Sequence, residues 1–169
     1  FEKANLFLEI AKATADKPME DREVGWLFKS PIGDGGQWTT FADNVMKYGL
    51  VPTDAMPDTY QSENTKIMSK LLRRKLREDG MKMRALANSK MTEELKEEAK
   101  LEMLSEIYRI LVLSLGEPPT EFEWQFKDKD GNISEEKTYT PKQFYDDLVG
   151  IDLSEYIMFM NDPVREYNK

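Results

Sequence analysis

The sequence predicts a mainly α chain with one β-hairpin and a short C-terminal strand. Most of its 169 residues fall into segments whose apolar positions recur every three or four residues between recognisable caps. A single period-2 run, Phe122, Trp124 and Phe126 alternating with Glu123 and Gln125, leads into Asp130-Gly131, a strand followed by a hairpin turn. Near the end, Tyr156-Ile157-Met158-Phe159-Met160 is a continuous apolar run of strand length, stopped by Asn161-Asp162-Pro163.

In chain order, Phe1 to about Ala15 reads as a helix with Leu6, Phe7, Ile10 and Ala13 on its apolar stripe, ended by Lys17-Pro18. Asp21 is the N-cap of a short helix through Lys29 that turns Val24, Leu27 and Phe28 inward, and Ser30-Pro31 stops it. After Gly33-Asp34-Gly35-Gly36-Gln37 comes a helix in which Trp38, Phe41, Val45 and Tyr48 share one face, with Gly49 as its C′ glycine. The proline-punctuated stretch from Leu50 to Pro57 is extended with a turn.

A long helix from about Asn64 to Leu86 is indicated by Ile67, Leu71, Leu72, Leu76, Met83 and Leu86. Gly80 costs it about 1 kcal/mol relative to Ala and marks a place for a kink or break. Thr92, followed by Glu93-Glu94, caps a second long helix to about Ser114, whose stripe is Leu95, Ala99, Met103, Ile107, Ile110 and Leu111. The short connection makes the two helices antiparallel neighbours, and Gly116-Glu117-Pro118-Pro119 closes the pair. The return strand of the hairpin runs to about Tyr139. Thr140-Pro141-Lys142-Gln143 then forms a capping box for a helix through Val149, with Phe144, Tyr145 and Leu148 facing in and Gly150 as its stop.

Composition narrows the chemistry. The chain has no Cys and no His, which excludes disulfides, Cys-His and Ser-His nucleophile pairs and zinc sites of the usual ligands, so no catalytic residue and no metal ligand is assigned. No cofactor is implied. A net charge of −8 opposes attraction to nucleic acid or anionic lipid, and no apolar run is long enough to span a bilayer. Phe1 already lies inside a helical pattern and no export signal precedes it, so the chain is expected to be a segment of a longer, cytoplasmic protein. Lys66 to Arg84 holds eight basic and two acidic residues, and Glu93 to Glu106 holds six acidic and two basic ones. With no aromatic interleaved among the basic residues to stack a base, Arg73-Arg74-Lys75 reads as a helix face partly neutralised by its acidic neighbour.

Two further motifs suggest ligands. Gly33-Asp34-Gly35-Gly36-Gln37-Trp38 is where a ligand is best placed, because its backbone can be approached closely and can take φ > 0. The spacings of phosphate-binding glycine loops are absent there, and without a ligand it is simply a tight turn. Asp128-Lys129-Asp130-Gly131-Asn132-Ile133-Ser134 begins like a calcium loop, but its sixth position is Ile133 and its twelfth is Tyr139 where Gly and Glu are needed.

Several fragments, in order, resemble one family. Phe1-Glu2-Lys3-Ala4-Asn5, the Gly33 to Trp38 segment, Lys47-Tyr48-Gly49-Leu50-Val51-Pro52, Ala55-Met56-Pro57 and Ser62-Glu63-Asn64-Thr65 are similar to the bleomycin hydrolase and aminopeptidase C family of papain-like cysteine peptidases. The likeness continues more loosely through Gly116-Glu117-Pro118-Pro119, Thr140 to Tyr145 and Asn161-Asp162-Pro163. The resemblance implies part of a papain-like α+β peptidase with a helical insertion, from an intracellular enzyme that removes residues from peptide N termini and assembles as a homohexamer. The family's Cys would precede this chain and its His and Asn would follow it. Residues 1–60 would be a portion of the papain-like helical domain, 61–150 the insertion, and 151–169 a strand leading into the remainder. Gly35 and Gly36 match the glycine pair that binds the extended peptide substrate, with Asp34 and Trp38 as further cleft-wall residues. The competing reading is a stand-alone helical interaction module, or a pseudo-enzyme without catalysis. A Cys codon upstream and a His codon downstream would decide for the peptidase.

Overall fold

The computed structural model describes residues 1–33 and 35–159. Its helices are α1 (Glu2–Ala13), α2 (Arg22–Lys29), α3 (Trp38–Tyr48), α4 (Tyr60–Glu63), α5 (Lys66–Ala87), α6 (Glu93–Leu115) and α7 (Pro141–Phe144), and its strands are β1 (Phe122–Trp124) and β2 (Lys137–Tyr139). Of the described residues, those up to 33 and from 58 to 118 form one compact unit. Those from 35 to 57 and from 119 onward form another.

In the first unit α1 packs on α2, α5 and α6, and α5 packs on α6. The expected caps are present: the Asp21 carboxylate accepts the backbone N–H of Glu23 at 2.9 Å and of Val24 at 3.3 Å, and Thr92 Oγ1 accepts that of Leu95. Lys75 of α5 pairs with Glu106 of α6, and Lys96 Nζ of α6 donates to Ala87 O, so the two long helices run antiparallel. The core is built on Phe7, Leu8, Val24, Leu76, Met83 and Ile107.

Several stripes are phased differently from the sequence expectation, because a helix packed against two neighbours buries the arc they share. In α1 the buried residues are Ala4, Phe7, Leu8 and Ala11, and Leu6 is exposed. In α5, Ile67 and Leu71 are exposed while Met68, Leu72, Leu76 and Met83 are buried. In α6, Leu95 is exposed and the stems of Lys96 and Lys100 are buried instead. Nor does Gly80 break α5, which runs unbroken through it. A Cβ there would lie 2.8 Å from Phe7 Cε1 and 3.0 Å from Phe28 Cζ, so the glycine admits the Phe7–Phe28 edge-to-face pair, whose centroids are 5.5 Å apart.

The second unit joins α3, the hairpin and α7. The hairpin register pairs Phe122 with Tyr139, Glu123 with Thr138 and Trp124 with Lys137. The strands are three residues long, and the alternation fades outward: Phe122 is buried and Phe126 exposed. The predicted capping box forms, with Thr140 Oγ1 accepting from Gln143 N and Gln143 Oε1 from Thr140 N. Phe144 stacks edge-on with Phe122, Trp124 and Tyr139. Past Phe144 the helix widens to a π-turn over Tyr145–Val149, and a 3₁₀ turn follows at Leu153–Glu155.

The face expected to anchor α3 is half exposed: Trp38, Phe41 and Tyr48 remain open, and Ala42 and Val45 make the core contact with Tyr145 and Leu153. Tyr156 is extended, at φ −99° and ψ 136°. Residues 156–159 nevertheless join no ladder, and the only described sheet is the hairpin, whose strands are three residues long. Met160 lies outside the described residues.

Candidate functional site

The glycine segment follows a tethered stretch of chain. The last carbonyls of α2 have no intrahelical partner. Arg77 of α5 supplies donors to two of them, Nε to Phe28 O at 2.8 Å and Nη2 to Lys29 O at 2.9 Å. One turn earlier on α5, Arg73 Nε donates to Ile32 O at 3.2 Å, and Lys3 Nζ of α1 donates to Gly33 O at 2.9 Å. Asp34, the next expected site residue, lies outside the described residues.

Gly35 and Gly36 are exposed and irregular, Gln37 is extended at φ −108° and ψ 159°, and Trp38 opens α3. Neither Gly35 nor Gly36 takes the positive φ that the sequence allowed, and a Cβ built on either meets nothing within 4 Å. Gly49 is the opposite case: its φ is +80° and a Cβ would lie 2.1 Å from Pro141 O. The fold therefore demands glycine at 49 and not at 35 or 36. Trp38 stacks against Phe41 with centroids 5.5 Å apart and against Tyr156 at 6.4 Å, and all three rings are partly open to solvent. The segment thus sets two glycines without a Cβ ahead of partly exposed aromatic rings.

The other motifs resolve into structural roles. Asp128 caps the hairpin turn, accepting from Asp130 N, Asn132 N and Asn132 Nδ2 between 2.8 and 2.9 Å, and the Asn132 amide first among these holds its carboxyl below the usual range. Much of the basic stripe of α5 is spent on carbonyls and carboxylates: besides Arg73 and Arg77, the buried Arg84 donates to Thr14 O at the end of α1 at 2.6 Å and to Lys17 O beyond it. Lys75 sits 3.1 Å from the fully buried Asp79 and also contacts Glu106. Burial pushes the Asp79 carboxyl up, and Lys75 pulls it back only in part.

Two features of the site region have no signature in the sequence. Arg73 and Arg77 stand at i and i+4, which places them on one helix face, but nothing local names the carbonyls they reach. Tyr156 meets Trp38 across more than a hundred residues of chain. Among the described residues no group of three His, Cys, Asp or Glu side chains is arranged to hold a metal ion, and no helix is long and apolar enough to cross a membrane.

Comparison with known proteins gives this geometry its context. Aminopeptidase C of Lactobacillus delbrueckii subsp. lactis is 44% identical over 172 residues, covering 100% of this chain and 38% of that protein. Aminopeptidase C of Listeria monocytogenes is 43% identical over 98% of the chain, and bleomycin hydrolase of Rattus norvegicus 36% identical over 99%. The crystal structure of PepW from Lactobacillus rhamnosis superposes with a TM-score of 0.87 at 41% identity, over 91% of this chain and 34% of that one. The chain spans 37% to 38% of the length of these curated relatives. The superposition agrees with the fold class read from the sequence, mainly helical with one hairpin and papain-like in its relatives. Since the model of the Peptidase C1-like family matches residues 1–169 throughout, the chain belongs to that family.

Proposed function

We propose that this chain is a segment of a cytoplasmic, homohexameric cysteine aminopeptidase that hydrolyses peptides from the N terminus. Its part is to supply cleft wall and helical insertion while the nucleophile and its base lie elsewhere in the parent. The observation that carries the reading is the open space around Gly35 and Gly36: neither torsion nor crowding within the described residues calls for glycine, which leaves room for a partner to approach the backbone. An extended peptide is such a partner, since β-type pairing needs main-chain groups unshielded by a Cβ. Asp34 and Trp38 complete this wall. The names of the relatives support the activity, and the absence of Cys and His supports the division of labour. Residues 1–60 then belong to the papain-like helical domain, 61–150 to the insertion and 151–169 to the return into the peptidase. Alone, the chain has no thiolate to add to a peptide carbonyl and no imidazole to take and return the proton.

The test is Gly36→Val in the full-length parent. The branched side chain should lower kcat/KM on a peptide substrate by about 5- to 150-fold, the equivalent of about 1–3 kcal/mol of displaced backbone hydrogen bonding. The rate at which iodoacetamide alkylates the active-site Cys should not change. Circular dichroism should show an intact fold, because the space at residue 36 is open and its φ is not left-handed. Full peptide turnover by a folded Gly36→Val enzyme would reduce the segment to a turn.

A further inference from the structure

Among the described residues the outer edge of the hairpin is open. There β1 pairs only with β2, and the pairing runs on past the ladder: Ser134 N donates to Phe126 O at 2.8 Å, Lys127 bridges Ile133, and Asp128 N donates to Asn132 O at 2.9 Å. Phe126 and Asp128 thus turn main-chain groups toward the return strand. The two-residue period turns those of Gln125 and Lys127 the other way, where no described strand lies. From Phe122 to Asp128 this edge is about 20 Å long at the usual rise, a template for a further strand. A groove of about 630 Å³ follows it, lined by the five consecutive residues Glu123 to Lys127, by Ile133 and Glu136, and by Asp54 from the turn after α3. Side chains of one strand face are alternate residues, so five in a row mark the edge itself. The volume falls among those of ligand clefts, about 300–1,000 Å³.

We propose that this edge binds, in trans, an extended peptide in which lysine or arginine alternates with apolar residues, and adds it to β1 as a third strand. Three observations select that occupant. Main-chain groups turned to an open edge call for an extended backbone. The period of two along β1 puts Trp124 and Phe126 on one face and Glu123 on the other, so a strand laid beside it meets apolar and acidic neighbours in turn. The charge of the groove is unbalanced: Asp54, Glu123 and Glu136 are exposed carboxylates with no ion-pair partner among the described residues, and Lys127 is the one cation lining it. A cationic segment gains partners there, whereas an acidic one is repelled. Phe126 and Ile133 are exposed and offer its apolar residues a surface. All of these residues belong to the second unit, and none is part of the glycine segment.

The probe is a fluorescein-labelled, N-acetylated Val-Lys-Val-Lys-Val-Lys peptide, titrated into the full-length parent after iodoacetamide treatment so that it is not cleaved. Fluorescence anisotropy should show saturable binding with a Kd below about 1 mM. Amide exchange should slow at Gln125 and Lys127 when the probe is bound. The triple variant Asp54→Asn/Glu123→Gln/Glu136→Gln alters exposed side chains, so its melting temperature should hold while its affinity for the probe falls about five- to thirtyfold. A probe N-methylated throughout has no ladder donors and should bind at least about tenfold more weakly, and one with Glu in place of Lys should not bind. The absence of saturable binding by the folded parent overturns the proposal. So does equal affinity in the triple variant, which puts the probe elsewhere, and equal affinity of the methylated probe, which leaves only attraction between charges. If exchange at Gln125 and Lys127 is already slow in the free parent, the parent's own chain covers this edge and the proposal falls.

Discussion

Among the described residues, the unit containing α1, α2, α4, α5 and α6 buries fourteen apolar residues in one cluster, whereas the cluster of the unit containing α3, the hairpin and α7 holds four, with Phe122 buried apart from it. The first also ties its loose ends internally, since Arg77 and Arg84 take up carbonyls at the ends of α2 and α1 and Lys12 joins α1 to α6 through Glu93 and Glu97 at 2.9 Å each. The second depends on a close backbone fit. Leu50 N donates to Pro141 O at 3.0 Å beside the left-handed Gly49, while Trp38, Phe41, Phe126 and Tyr156 stay open. The lesson is that the two units should fail differently: one by losing volume, the other by losing a single backbone contact.

Phe7→Ala should have the largest effect. It removes a side chain only 2% exposed that packs on Phe28 and Gly80, and it should cost about 3–5 kcal/mol, seen as a large drop in the urea midpoint. A cost below about 1 kcal/mol would mean that this core is loosely packed and the contrast between the units is wrong. Gly49→Ala should follow at about 2–4 kcal/mol, combining left-handed strain with a clash against Pro141, and amide exchange should rise in α3 and α7 before it rises in α5. Exchange rising equally in α5 would show that the units do not open separately.

Asp79→Asn should have the smallest effect and the opposite sign. Burial raises the Asp79 carboxyl in the folded chain, so the folded state binds its proton more tightly than the unfolded state does. Its contribution is then most favourable below the unfolded pKa and is lost as pH rises through the folded value. The substitution should therefore stabilise the chain at neutral pH by about 1 kcal/mol and give no gain at low pH, as read from thermal melts across that range. Glu93 behaves in the reverse sense: hydrogen bonds from Lys96 and then Lys12 lower it to about 2, so its help is present above the usual carboxylate range and fades as pH falls toward that value.

Local chemistry made the element list readable. Asp21, Thr92 and the Thr140/Gln143 box carry their cap geometry in residue type and spacing, as do the Asp130-Gly131 turn and the two long helices. The four-residue α4 and the 3₁₀ turn at Leu153–Glu155 were not readable, being too short for a period to repeat. The site was half readable. Gly35-Gly36 and Trp38 stand out as motif residues, but the tethers from Lys3, Arg73 and Arg77 join positions 30 to 49 residues apart, which no local pattern specifies.

By itself the sequence determined which segments are helical, where most of them start and stop, and the absence of any Cys or His to do chemistry. Those properties follow from caps, periodicity and composition, all of which act within a few residues. Tertiary structure alone decided what each glycine is for. Gly80 makes room for Phe7 and Phe28, Gly49 is locked against Pro141, and Gly35 and Gly36 touch nothing that needs them small. The same residue type serves all three because a missing Cβ is a local fact, whereas what would occupy its place depends on segments the fold brings in from far along the chain.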